Sequence, residues 1–424
     1  MTESVFTYAA PGLKLGRGAS DEIGWDVQQL CGGGARRVLL VTDPGVAATG
    51  HPDRIADGIR ARGLEVIVHA GARVEPTDAS LEAAVSFARE TGPFDAVVAV
   101  GGGSSIDTAK AVDLLLTNDG ALIDYVNAPV GGGRAPEHPL LPLVAVPTTT
   151  GTGAESTTIC VLDVLALKVK TGISHARLRP TLAVVDPDLT MTQPAMVTAS
   201  AGMDILCHAL ESYTARWFGD FDAKRPEQRV PYCGANPIAD MWAEKSLSLL
   251  AGAFRRAVHD GSDRDARDQM ALAATFAGLG FGNAGVHVPH ACAYPVAGRV
   301  RDYRPEGYPA DEPIVPHGMA VVMTAPAALA LIFDASPERH RRAAELLGGG
   351  ALPTGGADVL PEVLRGLMRD VGLPSGLAEL GYGAADVDDL VEGALQQQRL
   401  LATAPIDVTA EHLATVFRES LHHW

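Results

Sequence analysis

Hydrophobic residues in the first 190 positions come in short unbroken runs. Arg37–Asp43 (RVLLVTD), Leu64–His69 (LEVIVH) and Asp95–Val100 (DAVVAV) are apolar, and rich in β-branched residues. That pattern predicts strands buried on both faces. Between them, His51–Arg62 and Ser80–Glu90 space their apolar residues as helices do. Gly63 stops the first, and Ser80 is the expected N-cap of the second. A strand beginning at Leu143 and a last one over Pro180–Asp188 follow. Strand and helix alternate, which predicts an α/β domain with a parallel, Rossmann-like sheet.

Beyond Pro194 the period changes. Ala195–Ala215, Ile238–His259, Asp265–Leu279, His317–Phe333, Pro337–Leu347, Val359–Val371, Ala384–Leu401 and Ala410–Leu421 all read as helices. The expected organisation is an α/β domain over residues 1–190 and an all-helical domain over 191–424. The longest apolar stretch, Met319–Phe333, contains Thr324 and Pro326 and is shorter than the roughly 20 residues a membrane span needs. Residues 299–316 form a polar loop rich in Pro and Tyr, a length that in compact domains is usually functional or disordered.

Composition narrows the function classes. A net charge of −17 over 424 residues argues against nucleic acid and anionic membranes as partners. It leaves a small anionic substrate open. The five cysteines contain no C-x-x-C pair, and no basic segment followed by an apolar core opens the chain. The reading is a cytoplasmic protein with reduced thiols.

Chemistry enters at two loops. Gly101, Gly102, Gly103 and Ser104 end a strand and open a helix that carries Asp107, a further cofactor candidate. Glycines there let backbone N–H groups close on an anion, and the helix dipole adds to the attraction. A flexible turn is the plainer reading, but the strand before and the helix after favour phosphate. The second loop, PTTTGTGAE, offers Thr148, Thr149, Thr150 and Thr152 beside two glycines, more hydroxyls than one cap requires. Two such loops at the carboxyl edge of one sheet suit a dinucleotide. Asp43, also after a strand, would accept from an adenosine ribose and repel a 2′-phosphate, which favours NAD over NADP. Lys170, rather than Lys168, is the candidate for a ribose or phosphate contact. A solvated lysine is the alternative. Leu189, following the last strand, is added as a cofactor contact.

In the helical half, Asp204 and His208 stand four residues apart and share one helix face. Alone, such a pair is more often a surface hydrogen bond than a metal site. His290 in VPHACAYP and His317 in VPHGMA would complete a four-ligand shell. Pro289 places His290 at a helix start. His287, on the same stretch, could relay a proton or be structural. Tyr294 joins it as a catalytic candidate.

With both halves read, the chain resembles the iron-containing (group III) alcohol dehydrogenase family. The similarity rests on GGGSSIDTAK, PTTTGTGAE and the histidine stretches, in order. Within the family it is most similar to the hydroxyacid–oxoacid transhydrogenases, through RVEPTD, LKVKTGI, CHALESYT, GFGNAGVHVPHACAYPVAG and VPHGMAVVMTAPA. The resemblance implies a Rossmann-like domain followed by a helical one, and Asp204, His208, His290 and His317 as metal ligands. Tyr294 stands where many family members have a second histidine, as it does in transhydrogenase-like members.

The implied chemistry is hydride transfer between a small hydroxyacid or alcohol and an oxoacid or aldehyde through NAD, helped by a divalent metal. Fe²⁺ is the family expectation, and Zn²⁺ also suits the ligands. A homo-oligomer is implied as well. The substrates implied for a transhydrogenase, 4-hydroxybutyrate and 2-oxoglutarate, are carboxylates. Arg299, Arg301 and Arg304 are the candidates to meet them. The competing readings are a simple alcohol dehydrogenase or aldehyde reductase, a lyase like the dehydroquinate synthases, and a non-catalytic binding protein.

Overall fold

A computed structural model describes residues 2–167, 169–348 and 355–424. The chain divides into two compact units, Ala10–Thr192 and Met1–Ala9 with Gln193–Trp424.

The first unit holds a six-stranded parallel sheet. Its strands are β1 (Gly12–Leu15), β2 (Arg37–Val41), β3 (Glu65–His69), β4 (Ala96–Gly101), β5 (Leu143–Pro147) and, last in the chain, Leu182–Val185. A separate antiparallel ribbon, β6 (Ile159–Val164) and β7 (Val169–Ser174), precedes that last strand, which is therefore β8. The order across the sheet is β1-β8-β5-β4-β2-β3. The helices are α1 (Ile23–Leu30), α2 (Pro44–Ala47), α3 (His51–Arg60), α4 (Asp78–Thr91), α5 (Gly103–Thr117) and α6 (Leu122–Tyr125).

The unbroken apolar runs have a simple cause. Alternate residues point to opposite faces, and helices cover both. Leu39, Val97, Ala99 and Ala145 pack with Leu81, Val85, Ile106 and Leu114 on one face. Val38, Leu40, Val98 and Val144 pack with Ile23, Val27, Ile55 and Ile59 on the other. The chain leaves β2 towards β3 and leaves β4 towards β5. The carboxyl ends of β2 and β4 therefore flank the point where strand order reverses, where such sheets hold ligands.

Two local expectations change. The N-cap of α4 is Thr77, not Ser80: the Thr77 hydroxyl accepts from Ser80 N–H at 3.1 Å, and Ser80 Oγ accepts from Thr77 N–H at 2.9 Å. Ser80 is the third residue of a reciprocal capping box. The antiparallel ribbon lies outside the expected elements, although β6 (ICVLDV) is largely apolar.

The second unit is helical: α7 (Ala195–Thr214), α8 (Pro237–His259), α9 (Arg264–Ala284), α10 (Val288–Gly298), α11 (His317–Leu331), α12 (Pro337–Gly348), α13 (Val359–Asp370), α14 (Val387–Leu395), α15 (Gln398–Leu401) and α16 (Ala410–Glu419). The single helix expected over Ala384–Leu401 is three pieces, a 3₁₀ turn at Ala384–Asp386 followed by α14 and α15. Residues 2–9 also belong here rather than with the sheet. Glu3 N–H donates to Phe221 O at 2.8 Å, and Ala9 N–H to Asn283 Oδ1 at 2.9 Å. Almost the whole length of α7 is buried, so its polar residues need internal partners. Among the described residues no single helix is long and apolar enough to cross a membrane.

Candidate metal centre and cofactor loops

Asp204 and His208 lie one turn apart on α7. His290 is the third residue of α10, just after Pro289, and His317 is the first of α11. Asp204 Oδ1 stands 3.8 Å from His208 Nε2, 3.6 Å from His290 Nε2 and 3.9 Å from His317 Nε2. These separations exceed a hydrogen bond. They suit ligand atoms sharing one cation at about 2.0–2.2 Å. The ligand atoms of Asp204, His290 and His317 all lie within 4.8 Å of one another. His208 borders that group, its ring stacked on Phe281 at 3.8 Å and on His290 at 4.6 Å.

The residues fit a divalent cation on a further observation. Asp204 Oδ1 and His290 Nε2 are buried and have no hydrogen-bond partner. Leaving such atoms unpaired is costly, and a cation among them removes the cost. Burial pushes the Asp204 carboxyl up, but His208, His317 and His290 outweigh it and hold the group well below the usual range. Burial takes His208 down to about 3, so it is neutral, as a ligand must be. The His317 side chain keeps 25% of its surface exposed, against 2% for Asp204, and marks the accessible side.

Sequence reasoning missed Glu211, two turns beyond Asp204 on the same buried face. Its Oε1 accepts from the backbone N–H of His287 at 2.8 Å and of His290 at 3.2 Å, and its Oε2 bonds to His290 Nδ1. The glutamate lies in CHALESYT, but nothing local marks it as a partner of a residue 79 positions away.

His287, the proton-relay candidate, is enclosed by the protein. It is fully buried, its Nδ1 accepts from Val288 N–H at 2.8 Å, and its Nε2 lies 3.1 Å from Thr214 Oγ1. Burial lowers its pKa to about 4. Both nitrogens are committed to the protein. Tyr294 is buried one turn after His290, its ring edge-on to His317 with centroids 6.4 Å apart.

In the first unit, the two loops leave adjacent strands. Gly101 pairs with Pro147 across β4 and β5, and Thr148 N–H donates to Gly101 O at 3.0 Å. The loops touch closely. A Cβ on Gly102 would come 3.2 Å from Thr149 Oγ1, and one on Gly103 2.8 Å from the Thr152 side chain. Helix α5 starts at Gly103 with no side-chain cap, leaving its first N–H groups open to an anion. The buried Thr148 Oγ1 has no hydrogen-bond partner. A phosphate or ribose fits both observations.

Other candidates are already engaged. Asp43 caps α2 through Val46 N–H at 2.9 Å and accepts from Ser105 Oγ at 2.9 Å. It sits at the strand-order reversal, with both oxygens in use. Asp107 is buried inside α5, 3.4 Å from Lys110 Nζ, and accepts from Val161 N–H. Leu189 is buried in a 3₁₀ turn after β8. Lys170 is not a free cation for the cofactor: it is buried on β7 and paired with Glu75 and Asp163. Lys168 lies outside the described residues. Arg299 and Arg301 reach Asp389 and Asp386, and Arg304 Nη1 donates to Asp302 O, so their expected role toward a substrate carboxylate finds no support in their contacts.

Comparison with known proteins adds the rest. A family model described as iron-containing alcohol dehydrogenase matches residues 11–187, and its C-terminal counterpart matches 227–421. The chain is 42% identical to the mitochondrial hydroxyacid–oxoacid transhydrogenase of Bos taurus, over 99% of this chain and 91% of that one. It is 41% identical to that of Homo sapiens, over 99% and 90%. Among solved structures, a 1,3-propanediol oxidoreductase superposes with a TM-score of 0.84 at 31% identity, covering 98% of this chain and all of that one. Sulfoacetaldehyde reductase from Bifidobacterium kashiwanohense, solved in complex with NAD⁺, superposes with a TM-score of 0.79 at 27% identity, covering 98% of each. The transhydrogenase relatives are named as mitochondrial, which overturns the cytoplasmic expectation. A Rossmann-like domain, a helical domain and matches along nearly the whole chain lead to one conclusion: the chain belongs to the iron-containing alcohol dehydrogenases, oxidoreductases that act on CH–OH groups of small molecules.

Proposed function

We propose that the chain is a hydroxyacid–oxoacid transhydrogenase. It would oxidise a hydroxyacid such as 4-hydroxybutyrate and reduce an oxoacid such as 2-oxoglutarate, with no net use of nicotinamide. The observation that carries this reading is 42% identity to the bovine transhydrogenase across 99% of the chain. A simple NAD(P)H-dependent alcohol dehydrogenase is the second reading, favoured by the likeness to 1,3-propanediol oxidoreductase.

In this reading Asp204, His208, His290 and His317 hold a divalent metal, Fe²⁺ by family and Zn²⁺ by ligand chemistry. Gly101–Ser104, Thr148, Thr149 and Thr152 hold the NAD diphosphate and ribose, and the Asp43 carboxylate disfavours a 2′-phosphate. When bound, the metal supplies Lewis-acid polarisation and the nicotinamide the hydride. The protein orients the ligands, keeps His208 neutral by burial and exposes the site on the His317 side. A homo-oligomer is the expected assembly, to be measured by light scattering.

The test mixes purified protein with 4-hydroxybutyrate and 2-oxoglutarate and no added NAD. Succinic semialdehyde and 2-hydroxyglutarate should form together. If neither forms but added NAD restores alcohol oxidation, the second reading replaces the first. Asp204→Ala or His208→Ala should abolish turnover while NAD binding persists. Near-normal activity in either variant would remove these residues from the metal shell.

A further inference from the structure

We infer that Glu211 decides which nitrogen of His290 carries the proton, and through that whether His290 can hold the metal. The inference rests on the metal centre proposed above. An ionised carboxylate only accepts hydrogen bonds. Glu211 is fully buried and collects three donors: the His287 and His290 backbone N–H groups on Oε1, and His290 Nδ1 on Oε2. With Nδ1–H committed as donor to Glu211, the proton that a metal displaces is the one on Nε2, the atom that faces Asp204 Oδ1 at 3.6 Å. The same carboxylate ties down the start of α10, so ligand orientation and tautomer share one group.

A glutamine at this position would have the right shape and the wrong pattern. Two backbone donors would claim its single oxygen. Its amide nitrogen would then face His290 Nδ1, donor against donor. To relieve this, Nδ1 must become the acceptor and the proton must move to Nε2, where it blocks the lone pair. The opposite amide flip relieves His290 but sets NH₂ against two backbone N–H groups. Glu211 is therefore a positioning residue, acting on the metal through His290.

The experiment measures Zn²⁺ affinity by chelator competition, with melting of the metal-free proteins beside it. Glu211→Gln should bind Zn²⁺ about 10–100-fold more weakly than the parent while still melting cooperatively. On a His290→Asn background the same change should cost less than about threefold, because the ligand it acts through is gone. Equal affinity in the parent and Glu211→Gln overturns the inference and leaves the metal centre standing. So do losses that simply add in the double variant. A parent that binds no Zn²⁺ overturns both. If Glu211→Gln does not melt cooperatively, Glu211→Asp replaces it. That variant keeps the charge but draws the oxygens back by one methylene. A loss of tenfold or more supports the inference, and unchanged affinity overturns it.

Discussion

Gly318 lies directly against Ser200. A Cβ on the glycine would come 2.1 Å from the Ser200 carbonyl oxygen and 2.8 Å from Asp204 Cβ. Helices α7 and α11 meet there with no side chain between them, and Met319 N–H donates to Ser200 Oγ at 3.1 Å. This close approach lets His317, the preceding residue, reach Asp204. Gly318→Ala should push α11 away, cost about 1–3 kcal/mol of stability and weaken metal binding at least tenfold. Melting and chelator competition on one preparation check both.

Both ring nitrogens of His287 have partners, which favours a structural role over a catalytic one. His287→Gln should lower stability by about 1–3 kcal/mol through lost buried hydrogen bonds. In the folded fraction, kcat should stay within about threefold and the pH profile of kcat/KM should not move. A hundredfold fall in kcat with an unchanged melting temperature would restore the proton-relay role.

The glycine loop makes a separable prediction. A Cβ at residue 103 would meet the Thr152 side chain at 2.8 Å. Gly103→Ala should therefore spread the two loops and raise the NAD dissociation constant about tenfold or more, with metal content unchanged. Calorimetric titration with NAD and metal analysis of the same sample read the two effects apart.

Asp113 gives a separate pH signature. It is fully buried on α5, its Oδ1 accepts from Leu141 N–H at 2.9 Å, and its Oδ2 has no partner. Burial raises its pKa from 3.8 to about 8. Between these values the unfolded chain has released the proton and the folded protein retains it. Its contribution to stability is thus full below pH 4, declines as pH rises and is gone above about pH 8. Asp113→Asn cannot ionise, so its melting temperature relative to the parent should climb steadily from pH 5 to pH 8. A difference that stays flat with pH would mean that Asp113 is already ionised in the folded protein.

Much of this protein follows from local pattern. Apolar runs such as RVLLV and DAVVAV specify strands because both of their faces are covered. Four-residue spacing puts Asp204 and His208 on one face whatever surrounds the helix. The glycine and threonine loops are legible because they interrupt those patterns just after strands.

What needed the tertiary structure is every relationship that crosses elements. Glu211 lies 79 residues from the histidine it bonds, and no periodicity links them. His287 looks reactive in the sequence and is spent on Val288 and Thr214. Lys170 reads as a cation for a phosphate but is paired with Glu75, 95 residues away. Propensity and spacing act over one or two turns, so they set the elements and their faces. Hydrogen-bond partners, burial and the state of a proton depend on packing between distant segments, and those were decided only when the chain folded.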